Sequence, residues 1–273
     1  MRETTPPPEL NNILLSEEGE IGIMTLNRPD SLNSFDPETI EELMKVSAWL
    51  ADRAPYRALV VTGAGRGFSA GGDVTGFKAG VDDAGVDLPS VVRHGADVLH
   101  QAIIDFRRIP YPVIAAVNGP AAGAGFSLAL MCDLRIASEA AFFACAYGRI
   151  GASPDGGMTY FLPRVIGPSK AAELMLNDPN LTAAQALEQG LVSKVVPAEE
   201  LMDAARAKAE KLAKMAPHYV RSVKNLAWQS LDNSLADHLQ LERHGIADSM
   251  GTEDLRNGVT AFFAGEEVTF EGR

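Results

Sequence analysis

Short apolar runs alternate with longer amphipathic ones along the first two-thirds of the chain. Residues 21–26 (IGIMTL), 57–62 (RALVVT) and 113–117 (VIAAV) are compact runs of strand formers, followed by NRPD, Gly63 and Asn118-Gly119-Pro120, and they predict strands. Residues 134–137 and 141–144 predict two shorter strands. Asp36-Pro37-Glu38 supplies a capping side chain, a first-turn proline and an acid at the positive end of the dipole; Ile40, Leu43, Met44 and Leu50 then follow at helical spacing. A second helix is expected over about 90–108, ended by Pro110-Tyr111-Pro112. The small-residue stretch AAGAGFSLALMC (121–132) reads as a buried helix, and the Gly- and Asp-rich segment 63–90 as one long loop. From Lys170 onward the pattern predicts helices at 170–176, 182–189, 199–215, 217–231, 234–250 and 252–264. Strand–helix alternation followed by helices alone argues an α/β core with an appended helical region.

Composition narrows the function classes. With 24 Lys and Arg against 36 Asp and Glu, the formal charge of −12 disfavours a nucleic-acid binder, while a local basic spot still suits a small anionic ligand. The two cysteines, Cys132 and Cys145, form no CxxC pattern, and the five histidines lack metal-ligand spacing, so no metal is expected. The opening MRETTPPPEL lacks a signal-peptide core, and the longest apolar stretch is too short to span a bilayer. The expectation is a cytoplasmic protein with no membrane partner.

Two familiar motifs fail on inspection. Gly63-Ala64-Gly65-Arg66-Gly67 follows a strand, but the dinucleotide fingerprint needs glycine where Phe68 stands. Gly125-Phe126-Ser127-Leu128-Ala129 imitates a nucleophile elbow but ends in alanine. More informative are two glycine turns, Phe68-Ser69-Ala70-Gly71-Gly72-Asp73 and Gly119 to Gly125. Each can aim backbone N–H groups into a cavity, and two such donors converging on one carbonyl make an oxyanion hole. A third segment, Ile150 to Gly157, places Asp155 in a Pro–Gly turn, where an acid is ordinarily a turn former.

Taken together, LNRPDSLNSF, RALVVTGAGRGFSAGGD, PVIAAVNGPAAGAGFSLALMCDLRIAS, PDGGMTYFLPRVIGPSKAAELML and AQALEQGLVSKVV resemble the enoyl-CoA hydratase/isomerase (crotonase) family in content, order and spacing. The three consecutive prolines within residues 1–10 predict a loose tail there, and the resemblance implies a spiral core of repeated ββα units over 11–197 and a helical trimerisation region over 198–273. It implies homotrimers or paired trimers and an acyl-CoA thioester as substrate, coenzyme A being part of that substrate and no separate cofactor being needed. By position it assigns the oxyanion-hole amides to Ala70 and Ala124. Ser31, Leu32, Arg66, Gly71, Gly72 and Asp73 fall where the family lines its CoA groove; Gly123 lies beside the Ala124 amide. Arg256 and Lys224 are further candidates for the CoA phosphates.

Departures from the family pattern sharpen the expectation. Ser127 and Tyr147 stand where the family's hydratases carry their two glutamates. Water addition needs one group to activate water and another to supply the α proton, whereas moving a double bond needs a single shuttle. An acid at the position of Asp155 resembles the phenylacetate-pathway isomerases, so isomerisation through Asp155 is expected. The alternatives are a hydratase-type lyase, a hydrolase or dehalogenase with Asp155 as nucleophile, and a non-catalytic acyl-CoA binder.

Overall fold

The computed structural model describes residues 6–273; the first five residues of the expected tail lie outside the described part. Leu10, at the end of that tail, packs against the core. Nine strands and eleven α-helices follow in the described residues. A six-stranded sheet contains β1 (Ile13–Glu18), β2 (Ile21–Leu26), β3 (Ala58–Gly63), β4 (Val113–Val117), β6 (Leu134–Ser138) and β9 (Lys194–Val196), in that spatial order. Within this sheet the β1–β2 pair is antiparallel and the pairs from β2 through β3, β4 and β6 to β9 are parallel. A smaller sheet joins β5 (Ala121–Ala122), β7 (Phe142–Ala144) and β8 (Leu181–Thr182).

Successive strands alternate between these sheets before a helix returns the chain. β4 and β5 precede α4 (Ala124–Met131), and β6 and β7 precede α5 (Met158–Ile166). β3 is followed by an isolated parallel bridge from Ser69 to Ala121, then by α2 (Val74–Asp82) and α3 (Leu88–Arg108). The result is three ββα-like turns, the last two of which add a strand to both sheets and the first a single bridge beside the smaller one.

Strand periodicity then divides the core. Leu59 and Val61 of β3, and Val113, Ala115 and Val117 of β4, enter the main cluster with α1 (Pro37–Arg53), α3 and α4. Their neighbours Ala58, Val60, Ile114 and Ala116 face the other way, into a second cluster closed by Leu201, Ala205 and Ala209 of α8 (Leu201–Ala213). Both faces of the parallel strands are covered, which is why they read as unbroken apolar runs.

Helix α6 (Pro168–Asn177) packs on α5, and α7 (Ala183–Glu188) starts from a capping box at Thr182 and Gln185. Three helices end the chain: α9 (Pro217–Gln229), α10 (Leu235–Met250) and α11 (Glu253–Ala264).

Several elements depart from the sequence reading, among them β5 within the stretch read as one helix and β8 and β9 within the region read as helices alone. The segment 63–90 contains α2, capped by the Asp73 carboxylate on the Thr75 N–H and burying none of its residues; its glycines and exposed valines hide any apolar stripe. β1 is an edge strand with one solvent face, too polar to register as a run. α5 carries Pro163 inside it, a residue that ordinarily signals a break.

Candidate active site

The first glycine turn is pinned from two sides. The Phe68 and Ser69 N–H groups both donate to the Pro120 carbonyl at 3.0 Å, and the Ala122 N–H donates back to the Ser69 carbonyl at 2.9 Å. Gly71, at φ +87, lies against the start of α4: a methyl placed on it would come 2.6 Å from the Ala122 oxygen and 2.9 Å from the Ala124 nitrogen. Only glycine permits that approach. Ala124 is the first residue of α4, so its N–H has no carbonyl one turn back and points out of the helix end where the backbone dipoles are positive.

The role expected for Ala70 is corrected by the hydrogen-bond pattern. Its N–H donates to the Leu32 carbonyl at 2.9 Å and is not free to meet a ligand. Leu32 and Asn33 both hold positive φ, 54° and 56°, and the turn is fixed by the Asn33 amide donating to the carbonyls of Ala64 at 3.0 Å and Gly67 at 2.8 Å. Two residues further on, Gly72 keeps its N–H without an acceptor among the described residues, while its neighbours Gly71 and Asp73 pair with Phe35. The amide left available beside Ala124 is thus that of Gly72, a residue the sequence places only in the CoA groove. Family position alone did not separate these two residues; accounting for every amide does.

Opposite this turn, Ser127, Tyr147 and Asp155 come together. The Tyr147 hydroxyl donates to Asp155 Oδ1 at 2.7 Å and lies 3.2 Å from the Asp155 carbonyl oxygen. Ser127, one turn into α4 and fully buried, donates its hydroxyl to the same carbonyl at 3.1 Å and lies 3.5 Å from the Tyr147 oxygen. Burial, and secondarily the Asp155 charge, push the Tyr147 phenol well above its usual value, so it stays a proton donor at neutral pH. Of the two hydroxyls at the positions of the absent glutamates, Tyr147 thus holds the carboxylate of the half-buried Asp155 and Ser127 holds its backbone carbonyl. Gly156, at φ +60, brings the turn close to Ser127: a methyl there would lie 3.1 Å from its Cβ.

Tyr147 is aimed inward by an unusual backbone. Ala146 holds φ 63°, and its N–H donates to Asp178 Oδ1 at 2.8 Å. Asp178 is in turn held by Arg149, whose Nε lies 3.0 Å from Oδ2. No motif in the sequence pointed to Asp178, more than thirty residues away.

The remaining groove residues are less convergent. Arg66 is exposed and forms no ion pair among the described residues, leaving its guanidinium available. The Ser31 hydroxyl donates to the Arg28 carbonyl at 3.1 Å. Asp73 is committed to capping α2 and lies 3.6 Å from Arg28, itself 3.0 Å from Asp36. Gly123 shapes the bend into α4 at φ 51° and donates to the Ala144 carbonyl. Lys224 is corrected as a phosphate ligand: it is buried, donates to the Tyr111 carbonyl at 2.6 Å and pairs with Asp133 at 2.7 Å. Arg256 is exposed.

Beside Ala124 a small apolar chamber of about 10 Å³ is enclosed by α1, α3 and α4. Among the described residues, no group of three or more His, Cys, Asp and Glu is placed to hold a metal, and no helix is long and apolar enough to cross a membrane.

Residues 16–273 match the protein family described as Enoyl-CoA hydratase/isomerase. The chain is 37% identical over 257 residues to the "Probable enoyl-CoA hydratase, mitochondrial" of Dictyostelium discoideum, an alignment spanning 94% of this chain and 90% of that one. It is also 37% identical over 261 residues to the 1,2-epoxyphenylacetyl-CoA isomerase of Escherichia coli K12, across 96% and 98% of the two chains. The crystal structure of an enoyl-CoA hydratase from Bacillus anthracis superposes with a TM-score of 0.89 at 32% identity, covering 96% of this chain and all of that one. The fold is the crotonase fold shared with these solved structures.

Proposed function

The chain belongs to the enoyl-CoA hydratase/isomerase family and is an acyl-CoA enzyme, and we propose that its own reaction moves a carbon–carbon double bond along the acyl group by proton transfer through Asp155. The observation that carries this reading is the Ser127–Tyr147–Asp155 cluster, in which the Tyr147 hydroxyl holds the Asp155 carboxylate and the Ser127 hydroxyl holds the backbone carbonyl of the same residue. Hydration requires a base for water and an acid for the α carbon; isomerisation requires one group that takes a proton and returns it. The N–H groups of Ala124 and Gly72 grip the thioester oxygen. Asp155 removes a proton from the carbon α to the C=O of a 3-enoyl thioester, and the electron pair left behind spreads into a dienolate whose negative oxygen the two amides stabilise. The carboxyl then returns the proton two carbons along, giving the conjugated 2-enoyl thioester with no net change in atoms. Losing one such amide donor typically costs about 3–4 kcal/mol of transition-state stabilisation. The coenzyme A carried by the substrate is the one cofactor moiety this chemistry uses.

We propose also that the chain self-associates. Leu235, Leu239, Ile246 and Met250 on α10, with Phe262 and Phe263 on α11, are exposed, and α10 buries none of its residues within the protomer. Apolar groups this densely exposed mark an interaction surface, and a trimer is the assembly expected.

The discriminating assay compares turnover of 3-hexenoyl-CoA with hydration of crotonyl-CoA. The expected result is isomerisation in the wild type and a loss of about 10²–10⁴-fold in kcat for Asp155→Asn. Efficient crotonyl-CoA hydration that survives Asp155→Asn overturns the assignment. A trapped covalent ester on Asp155 replaces the shuttle with a nucleophile.

A further inference from the structure

The chamber beside Ala124 and a much larger cleft on the other side of α3 share one residue. The chamber, about 10 Å³, has space for about one water. Its walls include Phe35, Leu43, Phe106 and Leu128, all buried and backed by the core. The cleft, about 580 Å³, lies between α3, α5 and α9 and is lined by Ile104, Tyr160, Phe161 and Trp228. Ile103 lines both cavities. It is also half-buried, unlike the other nine residues around the chamber. Gly156 at the chamber and Gly157 at the cleft bring the two spaces together at their other edge, immediately after Asp155.

An acyl group of more than a carbon or two cannot fit the chamber unless a wall moves. Moving a core-backed wall opens a void and forfeits its packing, whereas rotating Ile103 merely joins the chamber to space that already exists. The character of the cleft identifies what enters. Its cations are already matched: Arg107 pairs with Asp133 at 3.0 Å and stacks over Trp228, Arg108 pairs with Asp105 at 3.1 Å, and Lys224 pairs with Asp133. Apart from the polar side chains of His100, Asn225 and Gln229, what remains for a ligand is aromatic and aliphatic surface.

We propose that Ile103 is a specificity-determining residue: a movable partition through which a medium or long apolar acyl chain, its thioester held at Ala124, extends into the cleft against Phe161 and Trp228. This inference rests on the acyl-CoA reading and not on the identity of the reaction.

Binding of saturated thioesters, which undergo no isomerisation, separates the two. Calorimetry on the full-length protein is expected to show decanoyl-CoA binding at least about tenfold tighter than butyryl-CoA, because the added methylenes leave water. Ile103→Ala raises that preference about fivefold further and Ile103→Trp reduces it at least about fivefold, with circular dichroism verifying that both variants fold. The kcat/KM ratio of 3-decenoyl- to 3-hexenoyl-CoA follows the same order. Equal affinity for the two saturated esters, or a chain-length ratio unmoved by either substitution, overturns the inference while leaving the shuttle intact. Chain-length discrimination without double-bond movement upholds it and removes the shuttle. Failure of both esters to bind overturns both readings.

Discussion

Tyr147 gives Asp155 its shortest hydrogen bond, 2.7 Å, and its high proton affinity keeps it a donor across the neutral range. A hydrogen bond to a charged partner contributes about 1.5–3 kcal/mol. Tyr147→Phe, which keeps the ring and removes only the donor, is expected to lower kcat by about 10–100-fold if that bond aligns the carboxylate at the transition state. Steady-state kinetics checks this, and an unchanged kcat means Tyr147 only fills space. Asp178 acts on the same cluster from behind. Asp178→Ala removes the acceptor that holds Ala146 in its left-handed conformation and the partner of Arg149, at an expected cost of about 1–3 kcal/mol in denaturant unfolding. Asp178→Asn, which retains one acceptor oxygen, should recover part of it. At this scale the sequence revealed which side chains matter but not how they meet. Ser127, Tyr147 and Asp155 stood out because family glutamates were missing and a Pro–Gly turn held an acid. That the Tyr147 hydroxyl reaches that carboxylate depends on a backbone kink at Ala146, which no local signal announces.

Among the elements, the junction of the first glycine turn with α4 governs the proposed oxyanion hole. Gly71→Ala would drive a methyl into the Ala122 carbonyl and the Ala124 nitrogen while demanding φ +87 of a non-glycine residue. The expected outcome is loss of at least about 100-fold in kcat, the consequence of misplacing one donor. Far-ultraviolet circular dichroism should report a helix content close to wild type, since the turn lies outside the helices. Most of the element pattern was legible: α1 from its cap, first-turn proline and apolar stripe, β3 and β4 from continuous apolar runs, the last helices from their periodicity. Short or compromised elements were not. α2 depends on one capping aspartate and packs no residue deeply; α5 tolerates a proline because its neighbours bury Met158, Phe161 and Leu162. The misplacement of the second amide donor belongs here too. Ala70 and Gly72 are two residues apart in one turn, and only the bond from Ala70 to Leu32 distinguishes them.

For the whole molecule, association and alkaline stability offer separate readouts. Leu239→Asp with Ile246→Asp is expected to shift sedimentation toward the protomer, because both side chains are exposed on α10. Buried thiols set the alkaline limit. Burial pushes Cys132 and Cys145 up to about 12. The unfolded chain releases these protons from about pH 8.5 upward while the folded chain retains them, so stability is full below that value and falls as pH rises toward 12, by at most about 1.4 kcal/mol per pH unit for each thiol. Cys132→Ala should flatten that slope in denaturant titrations between pH 9 and 11.

The placement of α8 has a consequence for the timing of synthesis. Ala58, Val60, Ile114 and Ala116 find their covering partner only when Leu201, Ala205 and Ala209 arrive. Arg57, at the foot of β3, then locks the end of that helix through the carbonyls of Ala213 and Met215, and reaches Phe270 as well. While a nascent chain is still emerging from the ribosome, it carries a greasy, half-dressed sheet through most of translation. A stop codon placed just before Leu201 should therefore yield aggregates or chaperone-bound material rather than a smaller working enzyme.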